Sequence, residues 1–145
     1  MATKPLAYDD FSVGYAFPPH GYRVDAGDND AFVNTFDHSP VQDATGDVVL
    51  HPKHRPTVRA VHPTLVGSYQ PMHACFEWPV GVLHAKEKVS LRMPVYPGES
   101  LESVVAVKDK YVKNEKRFVV LEITVQKKEI GKIALVVERT LMWPN

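Results

Sequence analysis

The stretch of sequence that decides the fold is RMPVYPGESLESVVAVKDKY, residues 92 to 111. It holds a Pro-Gly turn at residues 96–99, followed by a segment in which apolar side chains alternate. The positions predicted to share one face are Leu101, Ser103, Val105 and Val107. Because a period of two residues is typical of a strand with one buried face, Ser100–Tyr111 is predicted to be a β-strand.

Two more strands are predicted to follow it in an antiparallel meander. Arg117–Gln126 is rich in Val, Ile, Phe and Thr and comes after a polar reversal at residues 113–116. Lys132–Met142 follows a turn at residues 129–131, with Ile133, Leu135 and Val137 expected on one face. Upstream, the segment Leu83–Met93 ends at Pro94, and the part around His84–Met93 is the expected fourth member of the sheet.

The chain before these strands is predicted to be partly helical. Pro63–Trp78 has apolar residues every three or four positions, with a kink expected at Pro71; these residues are Leu65, Tyr69, Met72 and Phe76. Asp28–Phe36 is a short amphipathic stretch that Asp28 would cap. Phe11–Val24 is expected to be a first strand broken by two prolines. This order of elements indicates an α+β fold.

Composition limits the classes of function. The 145 residues fit one domain, residues 1–145, and 44% hydrophobic with 23% charged residues is ordinary for a soluble protein. Lys and Arg number 17, as do Asp and Glu, so the zero net charge argues against nucleic acid and membrane surfaces as partners. With no apolar run of about 20 residues, no signal-like start and one cysteine, we expect a cytoplasmic protein.

Four segments together resemble the MaoC-like hydratases and dehydratases, which have the hot-dog fold. They correspond to that family's first strand, the segment leading to its catalytic loop, the start of its central helix, and its Arg-x-Pro-Val-x-Pro-Gly turn. In this chain the four are Phe11–Gly14, Asp28–Phe32, Val61–Val66 and Arg92–Leu101. The resemblance implies a single α+β hot-dog domain, with a central helix packed on a curled antiparallel sheet.

The loop FDHSPVQD, residues 36–43, resembles the family's active-site loop, Gly-Asp-x-Asn-Pro-Leu-His-x-Asp. In the family, the Asp and the His five positions later move a water proton on and off an acyl thioester. Here Asp37 stands at the Asp position, but Gln42 stands where the His is expected. Because a glutamine amide is not a useful base, the dyad is degenerate in this chain.

A second departure lies at the start of the central helix. Active members of the family open this helix with His-Gly, and the glycine N–H points at the thioester carbonyl. This chain has His62-Pro63, and proline carries no backbone N–H. The segment looks more like the Pro-Pro-Thr-Phe version of the N-terminal dehydratase type, the half of two-part dehydratases that lacks the catalytic residues.

The resemblance places the candidate site on the loop and on the helix. Asp37 is the expected catalytic carboxylate, with His38 and His62 as the candidate imidazoles. The side chains or backbone expected beside the substrate belong to Gln42, Pro63, Thr64 and Gly67. Structural alternatives stay open: a loop-capping role for Asp37, an exposed loop position for His38, and a capping neighbour or first helical turn for His62 and Thr64.

Three functions remain open at this point. The resemblance favours a lyase that hydrates or dehydrates an acyl thioester of CoA or acyl-carrier protein, as a homodimer or a heterodimer with a related hot-dog subunit. The second is a non-catalytic subunit of a two-protein dehydratase. The third is a hot-dog thioesterase, or a dehydratase or cyclase of secondary metabolism. None of them calls for a cofactor or a metal.

Other polar groups carry weaker signals. His51 and His54 have a spacing that metals tolerate on a helix, but neighbouring prolines argue against a helix there. Cys75 lies in an apolar stretch and is predicted to be a core residue rather than a nucleophile. Five basic residues around one predicted hairpin indicate either a solvated turn or a contact for CoA or carrier phosphates: Lys108, Lys110, Lys113, Lys116 and Arg117.

Overall fold

Within the described residues, five strands and two helices make up the regular structure. The computed structural model describes residues 5–36, 59–68 and 75–145. A 3-10 turn at Tyr8–Asp10 precedes the other elements. These are β1 (His20–Tyr22), α1 (Ala26–Phe36), α2 (Pro63–Ser68), β2 (Leu83–Leu91), β3 (Leu101–Lys113), β4 (Lys116–Lys127) and β5 (Lys132–Trp143).

The three predicted meander strands are confirmed. β3 pairs antiparallel with β4, and β4 with β5. On β3 the predicted face is the buried one, comprising Leu101, Ser103, Val105 and Val107. The reversal between β3 and β4 is made by Asn114 and Glu115, with φ of 50° and 63°. Positive φ at both central residues is what a tight hairpin turn needs, because only then does its twist match that of the strands.

The sheet is completed on both sides of the meander. Its order is β1-β3-β4-β5-β2, so β1 and β2 are the edge strands. The prediction of a strand from Leu83 is confirmed as β2, which pairs antiparallel with β5. Only His20–Tyr22 of the predicted first strand is regular, because two prolines separate it from an isolated bridge between Ala16 and Ala106.

The prediction for the start of β5 was wrong in one detail. Ile133 was expected on the buried face with Leu135, but it is 40% exposed and Ala134 is buried instead. The register shifts at this point, because Val125 pairs with Leu135 whereas Gln126 pairs with Ile133. Because Ala134 is the extra residue of a β-bulge, Lys132 and Ile133 lie on the faces opposite to those that strict alternation predicts.

Helix α1 begins earlier than the sequence indicated. Its cap is Asp25 rather than Asp28, because the Asp25 carboxylate accepts a hydrogen bond from the Asp28 backbone N–H at 2.7 Å. A carboxylate that binds the third N–H of a helix is the usual N-cap arrangement. Asp28 therefore lies in the first turn, where its negative charge is favoured by the helix dipole.

The predicted helix from Pro63 to Trp78 is not continuous over the described residues. α2 covers Pro63–Ser68, and residues 75–78 are not helical. Phe76 and Trp78 instead join Phe11 and Trp143 in an aromatic cluster at one end of the core, with ring centroids 4.8–5.9 Å apart. These edge-on and tilted contacts contribute beyond the area that the rings bury. The predicted kink at Pro71 lies outside the described residues.

Helix α2 packs on the buried face of β4 and β5, which gives the predicted α+β arrangement of one helix against a curled antiparallel sheet. Leu65 and Val66 are buried in this contact. Gly67 sets the distance, because a Cβ atom there would lie 2.7 Å from methyl groups of Leu135 and Val137. No helix within residues 5–36, 59–68 and 75–145 combines the length and the apolar composition that crossing a membrane requires.

Gly67→Ala is expected to destabilise the fold. Forcing a methyl group into this contact costs about 1–3 kcal/mol, and the better helix propensity of alanine returns about 1 kcal/mol at most. Gly21→Ala on β1 is the matched control, because its Cβ would meet nothing nearer than the Leu101 carbonyl oxygen at 3.8 Å. Urea unfolding of the two variants measures the difference, and equal midpoints would contradict the packing role of Gly67.

Candidate functional site

The start of α2 is closed by hydrogen bonds within the chain. His62 accepts three of them: its Nδ1 from the Thr64 N–H at 3.2 Å, and its carbonyl from the N–H groups of Leu65 at 2.9 Å and Val66 at 3.1 Å. Pro63, as predicted, occupies the first helical position and has no N–H. The N–H groups from Thr64 to Val66 are therefore already engaged, and Thr64 does not present its N–H to a ligand in this arrangement.

The capping bond defines the chemical state of the His62 ring. A nitrogen that accepts a hydrogen bond carries no proton, so the proton of the neutral imidazole is on Nε2. The ring is partly buried and lies 5.2 Å from the ring of Phe32 on α1. His62 thus caps the helix, which is one of the alternatives that the sequence left open, and its role beside a substrate stays a prediction.

Asn29 holds the segment that leads into α2. Its side chain is fully buried on α1, where Nδ2 donates to the Ala60 carbonyl at 3.0 Å and Oδ1 accepts from the His62 N–H at 2.9 Å. Between these contacts, Val61 donates to the Val95 carbonyl at 2.6 Å. The backbone on both sides of Val61 is thereby fixed to α1 and to the turn after β2, and the position of His62 follows from it.

Sequence reasoning missed Asn29, although its residue type was a signal. Asparagine is unfavourable inside a helix because its amide competes for backbone groups, so a mid-helix Asn needs another partner. The sequence shows no such partner nearby, because Ala60 and His62 lie more than 30 residues further along the chain. Only the fold brings them together.

Tyr22 fastens α2 to the sheet from the other side. Its hydroxyl donates to the Val66 carbonyl at 2.5 Å, and burial raises the pKa of the phenol well above its ordinary value. The neutral form is therefore the one that fits the site, as the hydrogen bond requires. This contact joins the edge strand β1 to the helix that carries Pro63, Thr64 and Gly67.

The predicted site residues are only partly within the described part of the chain. Asp37, His38 and Gln42 lie outside it. Of the others, Thr64 is exposed, and His62 and Pro63 are partly buried at the helix start. Gly67 is buried against β5, so its lack of a side chain has a packing reason that is independent of any substrate.

Of the two weaker candidates, Cys75 lies within the described residues and the histidine pair does not. Cys75 packs against the core, and burial raises the pKa of its thiol to about 11, which disfavours the nucleophilic thiolate. The described residues contain no group of three His, Cys, Asp or Glu side chains that could hold a metal. The pair His51 and His54 lies outside those residues.

Three of the five basic residues near the β3–β4 hairpin contact other parts of the chain. Lys108 binds Glu138 at 2.6 Å and approaches Glu122 at 3.7 Å; the hydrogen bond to Glu138 raises the pKa of the lysine and lowers that of Glu138. Lys110 and Arg117 lie over the ring of Tyr8. These three charges have partners within the protein, which favours the interpretation of the hairpin as a solvated surface.

Comparisons with known proteins give structural but not sequence matches. No protein-family model and no curated protein matches the chain. The R-hydratase PhaJ1 from Pseudomonas aeruginosa is similar at a TM-score of 0.68 and 23% identity, over 95% of this chain and 85% of that one. A MaoC-like dehydratase from Rhodospirillum rubrum is similar at 0.61 and 16%, over 97% and 98%. The HadBC (3R)-hydroxyacyl-ACP dehydratase complex from Mycobacterium tuberculosis gives 0.66 and 15%, over 90% and 96%.

The chain has the hot-dog fold. The match to hydratases and dehydratases extends over nine-tenths or more of its length, so the predicted α+β hot-dog arrangement is confirmed. At 15–23% identity the likeness establishes the fold but not the roles of individual residues.

Asn29→Asp is expected to weaken the fold at the helix start. The aspartate keeps an acceptor for the His62 N–H but loses the donor to the Ala60 carbonyl, which leaves a buried oxygen facing another. Such an unsatisfied group costs about 1–3 kcal/mol. Asp30→Asn is the matched control, because Asp30 is exposed on the same helix. Chemical denaturation compares the two, and an unchanged midpoint for Asn29→Asp would show that the two contacts contribute little.

Proposed function

We propose that this protein hydrates enoyl thioesters, or dehydrates 3-hydroxyacyl thioesters, of CoA or acyl-carrier protein. The observation that carries the proposal is the likeness of nearly the whole chain to an R-hydratase and to a (3R)-hydroxyacyl-ACP dehydratase. Fold alone does not fix chemistry. The proposal therefore also rests on a polar group, the His62 imidazole, at the start of the helix in that fold.

His62 supplies the donor that the helix backbone lacks. As thioester hydration proceeds, negative charge develops on the carbonyl oxygen, and a fixed N–H there lowers the barrier. Pro63 has no N–H, and those of Thr64 to Val66 are engaged with His62. The Nε2–H of His62 then takes this role, and the contacts of Asn29 with its backbone hold it in place.

The remaining roles in the proposal follow the family resemblance. Asp37 supplies the carboxylate that binds the attacking water, and His38 is the adjacent imidazole. Gln42, Pro63, Thr64 and Gly67 surround the bound acyl thioester. The reaction adds the water oxygen to the β-carbon and a proton to the α-carbon, and the reverse reaction expels water.

We expect hydration of crotonyl-CoA or of longer enoyl-CoAs, measured by the loss of the ultraviolet absorbance of the conjugated thioester. His62→Asp should lower kcat by about 10²–10³-fold, because an aspartate can still cap the helix but has no N–H to donate to the carbonyl oxygen. Thr64→Val removes the neighbouring hydroxyl and leaves the backbone groups in place, so it measures the contribution of that hydroxyl to kcat. A wild-type protein without activity on CoA and carrier thioesters, alone and with partner subunits, would refute the proposal.

A second candidate is a structural subunit of a two-protein dehydratase, and two observations favour it. The N–H groups at the helix start donate to His62, which is the arrangement expected of a subunit that has no oxyanion site. The edge strand β2 is exposed along nearly its whole length, with Val89 and Leu91 at 41% and 52% exposure. An unpaired edge with apolar side chains is suited to pairing with another strand. The similar HadBC protein is itself a complex.

Both candidates use the β2 edge to join a second hot-dog subunit, either identical or related. Val89→Lys is expected to disrupt this pairing, because a lysine directly at the strand edge must be desolvated on association. Val112→Lys is the matched control, since Val112 is 61% exposed and lies beside the β3–β4 turn. Sedimentation velocity measures the mass of each variant. A monomeric wild type that also captures no related subunit, or a Val89→Lys variant that remains dimeric, would exclude the β2 interface.

A further inference from the structure

The two faces of β2 differ in chemistry. Val89 is opposite Val137 of β5, which contacts Gly67 of α2, so Val89 lies on the helix side of the sheet. Lys86 and Lys88 are opposite the alternate residues of β5 and therefore lie on the outer face. A second strand joined to β2 would thus meet apolar side chains on one face and ammonium groups on the other.

The helix-side face of β2 favours association. Among the described strands, β2 has a neighbour on one side only, which is β5. On its helix side, Val89 and Leu91 are 41% and 52% exposed although they adjoin the core. A strand added along the open side would pair with the edge backbone and cover part of this apolar surface, which is favourable.

The outer face of β2 carries an excess of positive charge. Lys86 and Lys88 are both exposed, and the third outer position of the regular part of the strand is Ser90. The carboxylate opposite Lys88 on β5 is that of Glu138, which is already bound by Lys108 at 2.6 Å. The outer side of this edge therefore presents cations to whatever strand joins it.

These cations oppose pairing of β2 with its own copy. Two identical edge strands related by a two-fold axis pair antiparallel, and opposite residues share a face. The registers that pair most of residues 86–91 are therefore centred on Lys88 or on Val89. The first places Lys88 directly opposite Lys88 of the copy. The second places the two Lys88 side chains diagonally across the joint and Lys86 opposite Arg92. Because like charges across a strand pair are destabilising, both registers are penalised.

We propose that the open edge of β2 selects a related hot-dog subunit whose own edge strand presents carboxylates on its outer face, in preference to a second copy of this chain. This inference rests on the β2 interface of the proposed function and specifies its partner. Carboxylates opposite Lys86 and Lys88 replace the repulsion of the identical pair by attraction, and the apolar contact at Val89 is kept. Charge then determines partner choice by penalising the wrong pair.

Lysines on an edge strand can also serve only to prevent pairing. That interpretation predicts that no strand joins β2 at micromolar concentration, whatever the charge of that strand. It gives no role to the exposed Val89 and Leu91 on the other face, whereas a complementary subunit covers them. A strand of opposite charge on the same fold distinguishes the two interpretations.

The double variant Lys86→Glu/Lys88→Glu supplies such a strand. Mixed with the wild type, it is expected to form a dimer of one copy of each, at least about tenfold tighter than the wild-type homodimer at about 0.01 M salt. At about 1 M salt the mixed dimer should weaken and the wild-type homodimer should strengthen, because screening removes attraction in one and repulsion in the other. Sedimentation velocity with one component fluorescently labelled measures both affinities.

Lys113→Glu/Lys116→Glu is the matched control, because it makes the same change of net charge at exposed positions of the β3–β4 hairpin. Mixed with the wild type, it should associate no more tightly than the wild type alone. A β2 mixture that is no tighter than the wild-type homodimer, or that the control equals, overturns the partner assignment and leaves the hydratase proposal standing. A mixed dimer that forms as expected but, like the wild type, hydrates no enoyl thioester supports the partner assignment and counts against the hydratase proposal.

Discussion

The close contact between α2 and β5 at Gly67 is the constraint on which the rest of the structure depends. Because a Cβ atom at this position would lie 2.7 Å from the methyl groups of Leu135 and Val137, the helix can approach the sheet only with a glycine there. The approach allows Val66, at the same level, to be completely buried and its carbonyl to accept the Tyr22 hydroxyl. The helix start is then held from α1 by Asn29. Sheet packing thus determines where His62 lies.

Much of the fold follows from short-range patterns. The buried face of β3 could be predicted because alternation of side chains is a property of the strand itself, and the turn at Asn114–Glu115 is formed by polar residues. The prediction failed at Ile133, because a single extra residue in β5 reverses the alternation and no local signal marks it. Phe76, the last residue of the predicted helical spacing, packs on Trp143 outside any helix.

The candidate site was less predictable, since its contacts join distant parts of the chain. The helix-start position of Pro63 follows from its missing N–H, and the structure agrees. In contrast, Asn29 binds residues 31 and 33 positions further along the chain, and no local pattern predicts contacts over such a separation.

The fold orients two histidines through different ring nitrogens. His62 accepts a hydrogen bond on Nδ1 from the Thr64 N–H, whereas Nε2 of His84 lies 2.9 Å from the Glu87 carboxylate, which also binds Arg139. Burying the charge of Arg139 costs desolvation energy, and its contact with Glu87 offsets part of that cost, so this ion pair is a weak source of net stability.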